Sequence, residues 1–298
     1  MSVQAFHVSE NWSQLTRRMH REQIMGGLVI LAVVICSTIL VAVFDRLDLS
    51  VAWSSFAAEA VSLCLYGAVA VGYALHRRPG VWTAVVGTYG ASLVLMGVTN
   101  WVTKNDLPVR LVDSPRAHSP ILYVGVIMLL YWGVLFGLMR SFPDEMAKIG
   151  LTGARWGAWT GVGAITGLIL GTHLLYTAQS AARMALVMKP WPYTAWSVCY
   201  ELGIQSINEE LFFRGLAFNY LHRVARWNFW LSAIVTSLLN VLVLIVKAGW
   251  SANLLLSLGT LFYTFAMGMI SAALFSRSRS IVPGLVNNVV FSMTTILL

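Results

Sequence analysis

The stretch Phe229-Trp230-Leu231-Ser232-Ala233-Ile234-Val235-Thr236-Ser237-Leu238-Leu239-Asn240-Val241-Leu242-Val243-Leu244-Ile245-Val246 runs for 18 residues without one Asp, Glu, Lys or Arg. In lipid a helix satisfies its own backbone, and a hydrocarbon core of about 30 Å needs roughly 20 helical residues to cross it. Working outward, comparable apolar stretches fall near residues 24–44, 51–75, 81–103, 119–139, 156–177, 193–213, 253–275 and 281–298. The chain of 298 residues is 58% hydrophobic and 11% charged, with a mean hydropathy of +0.73, which excludes an ordinary soluble domain. The sequence predicts an all-α fold, a polytopic membrane helix bundle of about nine transmembrane helices in contact with the lipid bilayer.

The formal charge of +8 does not point to nucleic acid, because the basic residues are scattered among short loops and form no strip interleaved with aromatics. The charge describes topology instead. With a cytoplasmic N-terminus, that side collects Arg17, Arg18, Arg21, Arg77, Arg78, Arg140, Lys148, Arg155, Arg223, Arg226, Arg277 and Arg279. The other side keeps Arg46, Lys104, Arg110, Arg116, Arg183, Lys189 and Lys247, so the positive-inside bias favours this orientation. The apolar run after the polar first residues lacks a small-residue cleavage site, which predicts a retained first span. Arginine-rich, lysine-poor usage suggests a GC-rich bacterial genome and hence a bacterial plasma membrane. Cys36, Cys64 and Cys199 all fall inside expected spans, which predicts buried thiols rather than a disulfide framework.

The polar connections at 104–118, 140–155 and 178–192 are too short for separate soluble domains, and no repeat is visible. Two regions of different character remain, 1–154 with about four spans and 155–298 with the rest. In the fifth span, Gly157 and Gly161 form one small-residue row and Gly163, Gly167 and Gly171 another. Such rows let helix backbones approach closely in lipid, either within the bundle or across a homo-oligomer. Glu59 and His173 are isolated intramembrane polar groups. Residues 181–188, ahead of Lys189-Pro190-Trp191-Pro192, have the composition of a short interfacial helix.

Ionisable residues inside a membrane are costly and mark function. Glu209-Glu210-Leu211-Phe212-Phe213-Arg214 puts two carboxylates and a guanidinium into one such element. At helical spacing Arg214 reaches Glu210 on one face, while Glu209 points about a quarter-turn away and stays available. Burial of a carboxylate in a low-dielectric site is the physical route to a base that works near neutral pH. The competing structural reading is a buried ion-pair network that only locks helices together.

Glu209-Glu210-Leu211-Phe212-Phe213-Arg214-Gly215, followed by Tyr220-Leu221, resembles the first signature of the CAAX protease and bacteriocin-processing (CPBP) family of glutamic intramembrane endopeptidases. The resemblance covers roughly residues 155–298 and leaves the first four spans outside the family core. It implies that Glu209 is the general base on the attacking water, supported by Glu210 and Arg214. Two further signatures are expected downstream. In register with Thr236-Ser237-Leu238-Leu239, Asn240 stands at the family's phenylalanine and Leu244 at its histidine. In register with Ser280-Ile281-Val282-Pro283-Gly284, Asn288 stands at the second histidine and Ser292 at the asparagine. The family histidines help to activate water and to stabilise the oxyanion.

The candidate catalytic set is therefore Glu209, Glu210, Arg214, Asn240, Asn288 and Ser292. No histidine or cysteine pair has metal-ligand spacing, so no catalytic metal and no cofactor are expected. The leading reading is an endopeptidase that cleaves a membrane-associated peptide or protein with a glutamate-activated water. The alternative is a pseudoprotease that binds or protects such a peptide, as in peptide immunity. A transporter is the third reading, but neither inverted repeats nor paired broken helices support it.

Overall fold

The computed structural model describes residues 50–76, 81–106, 119–152, 156–180, 183, 198, 200–248 and 254–295. Among these residues there are helices and no strands. In chain order they are α1 (Ser50–His76), α2 (Val81–Asp106), α3 (Ser119–Ser141), the short α4 (Pro143–Lys148) and α5 (Trp156–Ser180). The next, α6, is a continuous run of Glu201–Gln205, Ser206–Glu209, Glu210–Phe218 and Tyr220–Val224. It is followed by α7 (Phe229–Ala248), α8 (Leu254–Ser278) and α9 (Val282–Thr295).

The expected span at 24–44 lies outside the described residues, and each of the other expected spans coincides with a helix. Gly157–Ser180, Phe229–Lys247 and Ser257–Ser278 are long and apolar enough to cross a membrane by themselves, and Ser62–Leu75 and Val85–Gly97 are shorter apolar stretches. The reading of 193–213 needs correcting at its C-terminal end. The helix continues to Val224, so Glu209 and Glu210 sit along it rather than near its end. Also outside the described residues are Cys36, Cys199, the side chain of Glu59, the loop at 107–118, and the 181–192 segment except Arg183. Cys64 is half-buried and carries no disulfide.

The pattern of burial is that of a protein dissolved in lipid. Val86, Val94, Phe136, Ile165, Ile169, Leu238 and Phe262 face outward, whereas Ser62, Ser92, Asn208, Glu210, Arg214, Ser237, Ser271 and Asn287 are buried. Apolar side chains cost nothing against acyl chains, while polar groups there need internal partners. The buried face therefore gathers the polar residues.

Helix α6 is the axis of the bundle, and every residue of Glu210–Phe218 is buried. Around it stand α1, α3, α7, α8 and α9. One apolar core runs through Leu63 and Tyr66 of α1, Phe212, Phe213 and Phe218 of α6, Phe275 of α8 and Leu285 of α9. The N-terminal helices thus share their core with the helix that carries the carboxylates.

Helix α5 lies along α9, and glycine makes that approach possible. A Cβ on Gly163 would meet the Pro283 carbonyl oxygen at 2.2 Å, and one on Gly167 the Asn287 carbonyl oxygen at 2.4 Å. Gly171 abuts the Thr294 hydroxyl in the same way. This row packs inside the bundle, the first of the two readings its spacing allows. Among the described residues, a Cβ on Gly157 or Gly161 would meet nothing within 4 Å. Gly150 serves a different need: its φ of +83° turns the chain after α4, and its carbonyl accepts the Ile281 N–H at 3.0 Å.

Candidate active site

Most of α6 is wound more widely than an α-helix. Glu201–Gln205, Glu210–Phe218 and Tyr220–Val224 are π-helical, and the Ala225 N–H closes the last turn on the Tyr220 carbonyl at 2.9 Å. Wide turns of this kind are rare and occur frequently at functional sites. The α-helical piece Ser206–Glu209 ends where the π-helical piece begins. The change of winding falls between the two glutamates, which face different neighbours.

Glu210 is fully buried and faces α9. Its Oε1 accepts a hydrogen bond from Asn288 Nδ2 at 2.8 Å and lies 3.6 Å from Arg214 Nε. Asn288 sits on α9 one turn after Gly284 and one turn before Ser292, and the Gly284 position is what admits the carboxylate. A Cβ there would come within 2.4 Å of Glu210 Oε2 and 3.2 Å of the Ser271 hydroxyl. Arg214 is also buried, and beside it a Cβ on Gly268 would lie 2.5 Å from Ser237 Oγ and 3.1 Å from Arg214 Nη2. Two glycines, one on α8 and one on α9, thus make room for the ion pair.

Several polar atoms of this cluster are buried without a hydrogen-bond partner among the described residues. They are Arg214 Nε and Nη1 and the hydroxyl of Ser237, while the Ser271 hydroxyl lies beside the Glu210 carboxylate. Buried polar groups are rarely left unsatisfied, so these atoms mark a place where water or polar atoms of a substrate are chemically welcome.

Glu209 is half-buried and lies on the side of α1. Phe212, one turn further along α6, stacks on Tyr66 with ring centroids 4.3 Å apart, and Tyr66 is within electrostatic reach of Glu209. The Tyr66 hydroxyl bonds Ser92 Oγ at 2.5 Å, and Ser92 donates to the Tyr89 carbonyl at 2.8 Å. Tyr89 in turn donates to the Leu239 carbonyl of α7 at 2.7 Å. Just before the carboxylates, buried Asn208 accepts from the Tyr131 hydroxyl and donates to the Ile204 carbonyl. Gly67 of α1 is pressed against both Asn208 and Tyr131, where a side chain would collide.

The structure joins three of the six candidate residues directly, namely Glu210, Arg214 and Asn288. Glu209 lies beside them on the adjoining face. Ser292 is half-buried one turn beyond Asn288. Asn240 is buried on α7, and no hydrogen bond links it to Glu209, Glu210 or Arg214. Leu244, at the position where a histidine was expected, is half-buried. At the start of helix α7 the Asn228 side chain caps the helix by accepting the Leu231 N–H at 2.7 Å.

Sequence reading missed Ser237, Ser271, Gly268, Gly284 and Tyr66 as parts of the site. Isolated serines in otherwise apolar helices were the available signal for the first two. His173 stands apart: its Nδ1 meets the hydroxyl of buried Tyr263, between α5 and α8. Among the described residues, no three His, Cys, Asp or Glu side chains gather as metal ligands would.

A family model described as Type II CAAX prenyl endopeptidase Rce1-like matches residues 190–293. Over those residues the chain is similar to the CAAX prenyl endopeptidase family. The matched residues contain all six candidate positions and run from just before α6 to near the end of α9. No curated protein and no solved structure matches the chain. The CAAX protease-like segment accounts for the carboxylates, the arginine and Asn288, while Tyr66, Gly67, Tyr89, Ser92 and Tyr131 come from helices that precede it.

Proposed function

We propose that this membrane protein is an intramembrane endopeptidase of the CAAX protease type, atypical in working without the two family histidines. Glu209 takes a proton from a water molecule, and the resulting hydroxide attacks the carbonyl carbon of a peptide bond. The oxyanion that forms is met by N–H and O–H donors on α9, from the second N–H of the Asn288 amide and from Ser292. Collapse of the tetrahedral intermediate breaks the C–N bond, and the leaving amine receives the proton held by Glu209. Arg214 pairs with Glu210, and Glu210 in turn fixes the Asn288 amide.

The observation that carries this reading is the Asn288–Glu210 hydrogen bond. It joins Asn288, the residue read in register with the third signature, to Glu210 of the first. Substrates would be membrane-associated peptides or proteins cut near the membrane surface, with the N-terminus of the protease in the cytoplasm and the bacterial plasma membrane as its location. The test uses the full-length protein in lipid nanodiscs with a prenylated fluorogenic CAAX peptide. Cleavage that disappears in Glu209→Ala, with thermal unfolding unchanged, supports the proposal, and equal cleavage by Glu209→Ala overturns it.

A second reading, a peptide-binding pseudoprotease, is favoured by Leu244 at the water-activating position. In that case the native protein binds the peptide without cutting it. Cleavage would then appear only after the combined substitutions Leu244→His and Asn288→His.

A further inference from the structure

At one end of the bundle, the C-terminal ends of α6 and α8 meet the turn after α4. Ile281 N–H bonds the Gly150 carbonyl at 3.0 Å, Ser280 donates to the Thr152 carbonyl at 3.0 Å, and Asn219 donates to the Lys148 carbonyl at 2.7 Å. Trp227 and Trp230 are 40% and 66% exposed here, which is how tryptophan sits at the level of lipid headgroups.

Four arginines gather at the same end: Arg223, Arg226, Arg277 and Arg279, all exposed. Among the described residues none of them forms an ion pair with a carboxylate. Two of them flank Phe275. The Arg223 guanidinium lies over its ring, 5.9 Å from the centroid, and the backbone N–H of Arg279, one turn further on, bonds its carbonyl at 2.8 Å. Desolvation and the neighbouring Arg279 charge both disfavour the charged form of Arg223, so the two cations repel each other.

The backbone adds a second cost. Arg279 and Arg226 hold left-handed conformations, with φ of 62° and 57°, directly after helix ends where glycine is the usual occupant. A non-glycine residue held there, beside a like charge, is destabilising unless something else favours its side chain.

We propose that Arg223 and Arg279 clamp a phosphodiester anion at the Phe275 corner, supplied by the headgroup of an anionic phospholipid. Arginine suits this ligand because its planar fork matches phosphate oxygens in two-point geometry. A phosphate between the guanidinium groups removes their repulsion, and the tryptophans place the corner at the depth where such headgroups lie. This site is separate from the Glu210–Arg214 cluster and does not depend on hydrolysis.

The test is native mass spectrometry of the full-length protein in detergent after addition of phosphatidylglycerol or phosphatidylcholine. The native protein is expected to retain phosphatidylglycerol preferentially. With about 1 kcal/mol for each basic residue near the surface, Arg223→Gln with Arg279→Gln loses about 30-fold of that retention. The charge-conserving pair Arg223→Lys with Arg279→Lys, which keeps the charge without the planar fork, is expected to retain more than the glutamine pair and less than the native protein, and it controls for folding. Equal retention of the two lipids, or undiminished retention by the glutamine pair, overturns the proposal. Displacement of the lipid by inorganic phosphate alone overturns the lipid assignment in favour of a free phosphate.

Discussion

Asn288 and Glu210 are joined by a hydrogen bond of 2.8 Å between buried groups, and this bond ties α9 to the middle of α6. Glu210 Oε1 has Asn288 and Arg214 as its partners, so the carboxylate is oriented from two directions. Asn288→Ala leaves that oxygen short of its neutral donor while the charge stays buried. The expected loss is about 1–3 kcal/mol of stability, read as a lower unfolding temperature in detergent. Asn288→Asp, which sets a second carboxylate against the first, is expected to cost more.

The Glu210–Arg214 pair gives a sharper result because both partners are almost fully buried. Arg214→Met strands a carboxylate in the bundle, and the expected cost is about 3–5 kcal/mol. Removing both charges with Glu210→Gln and Arg214→Met recovers much of that loss, since neither residue then leaves an unpaired charge. Thermal unfolding of the two single variants and the double variant, arranged as a double-mutant cycle, measures the coupling. Additive losses would show that the ion pair contributes nothing to folding.

The spans were legible in the sequence because lipid imposes a single rule, long apolar helices, that needs no tertiary information. The carboxylates and Arg214 were legible for the opposite reason, as charges stand out where charge is expensive. Asn288 could be placed only through the register of the Pro283-Gly284 turn, whose proline and glycine fall in the first turn of α9. The sequence put the two glutamates on different faces of one helix but did not show which neighbours those faces meet. Those depend on how α1 and α9 pack on α6, and no residue pattern announces the change from α to π winding between Glu209 and Glu210. Nor did it show Tyr66 beside Glu209, because the contact joins helices far apart in the chain.

The two glycine rows of α5 make an internal control. Gly163 and Gly167 touch backbone atoms of α9, and a methyl group at either position drives the helices apart. Gly163→Ala and Gly167→Ala are each expected to cost about 1–3 kcal/mol through overpacking. Gly157→Ala and Gly161→Ala meet no neighbour and are expected to be neutral or slightly stabilising, since alanine favours helix. The same unfolding measurement compares all four, and equal losses in both rows would contradict the packing of α5 on α9.

Gly284 gives the most direct link between packing and chemistry. A Cβ at this position would stand 2.4 Å from Glu210 Oε2, so Gly284→Ala must displace the carboxylate and loosen its hold on Asn288. The change adds no charge and leaves Glu209 and Ser292 untouched. If Asn288 is held in place by Glu210 to meet the oxyanion, cleavage of the prenylated peptide falls by about 100- to 1,000-fold, the usual effect of losing one such donor. Peptide affinity changes little, so the loss appears in kcat rather than KM. A loss confined to KM would instead make the Gly284 corner part of the substrate-binding wall, with Glu210 and Asn288 lining it rather than supporting the reacting atoms.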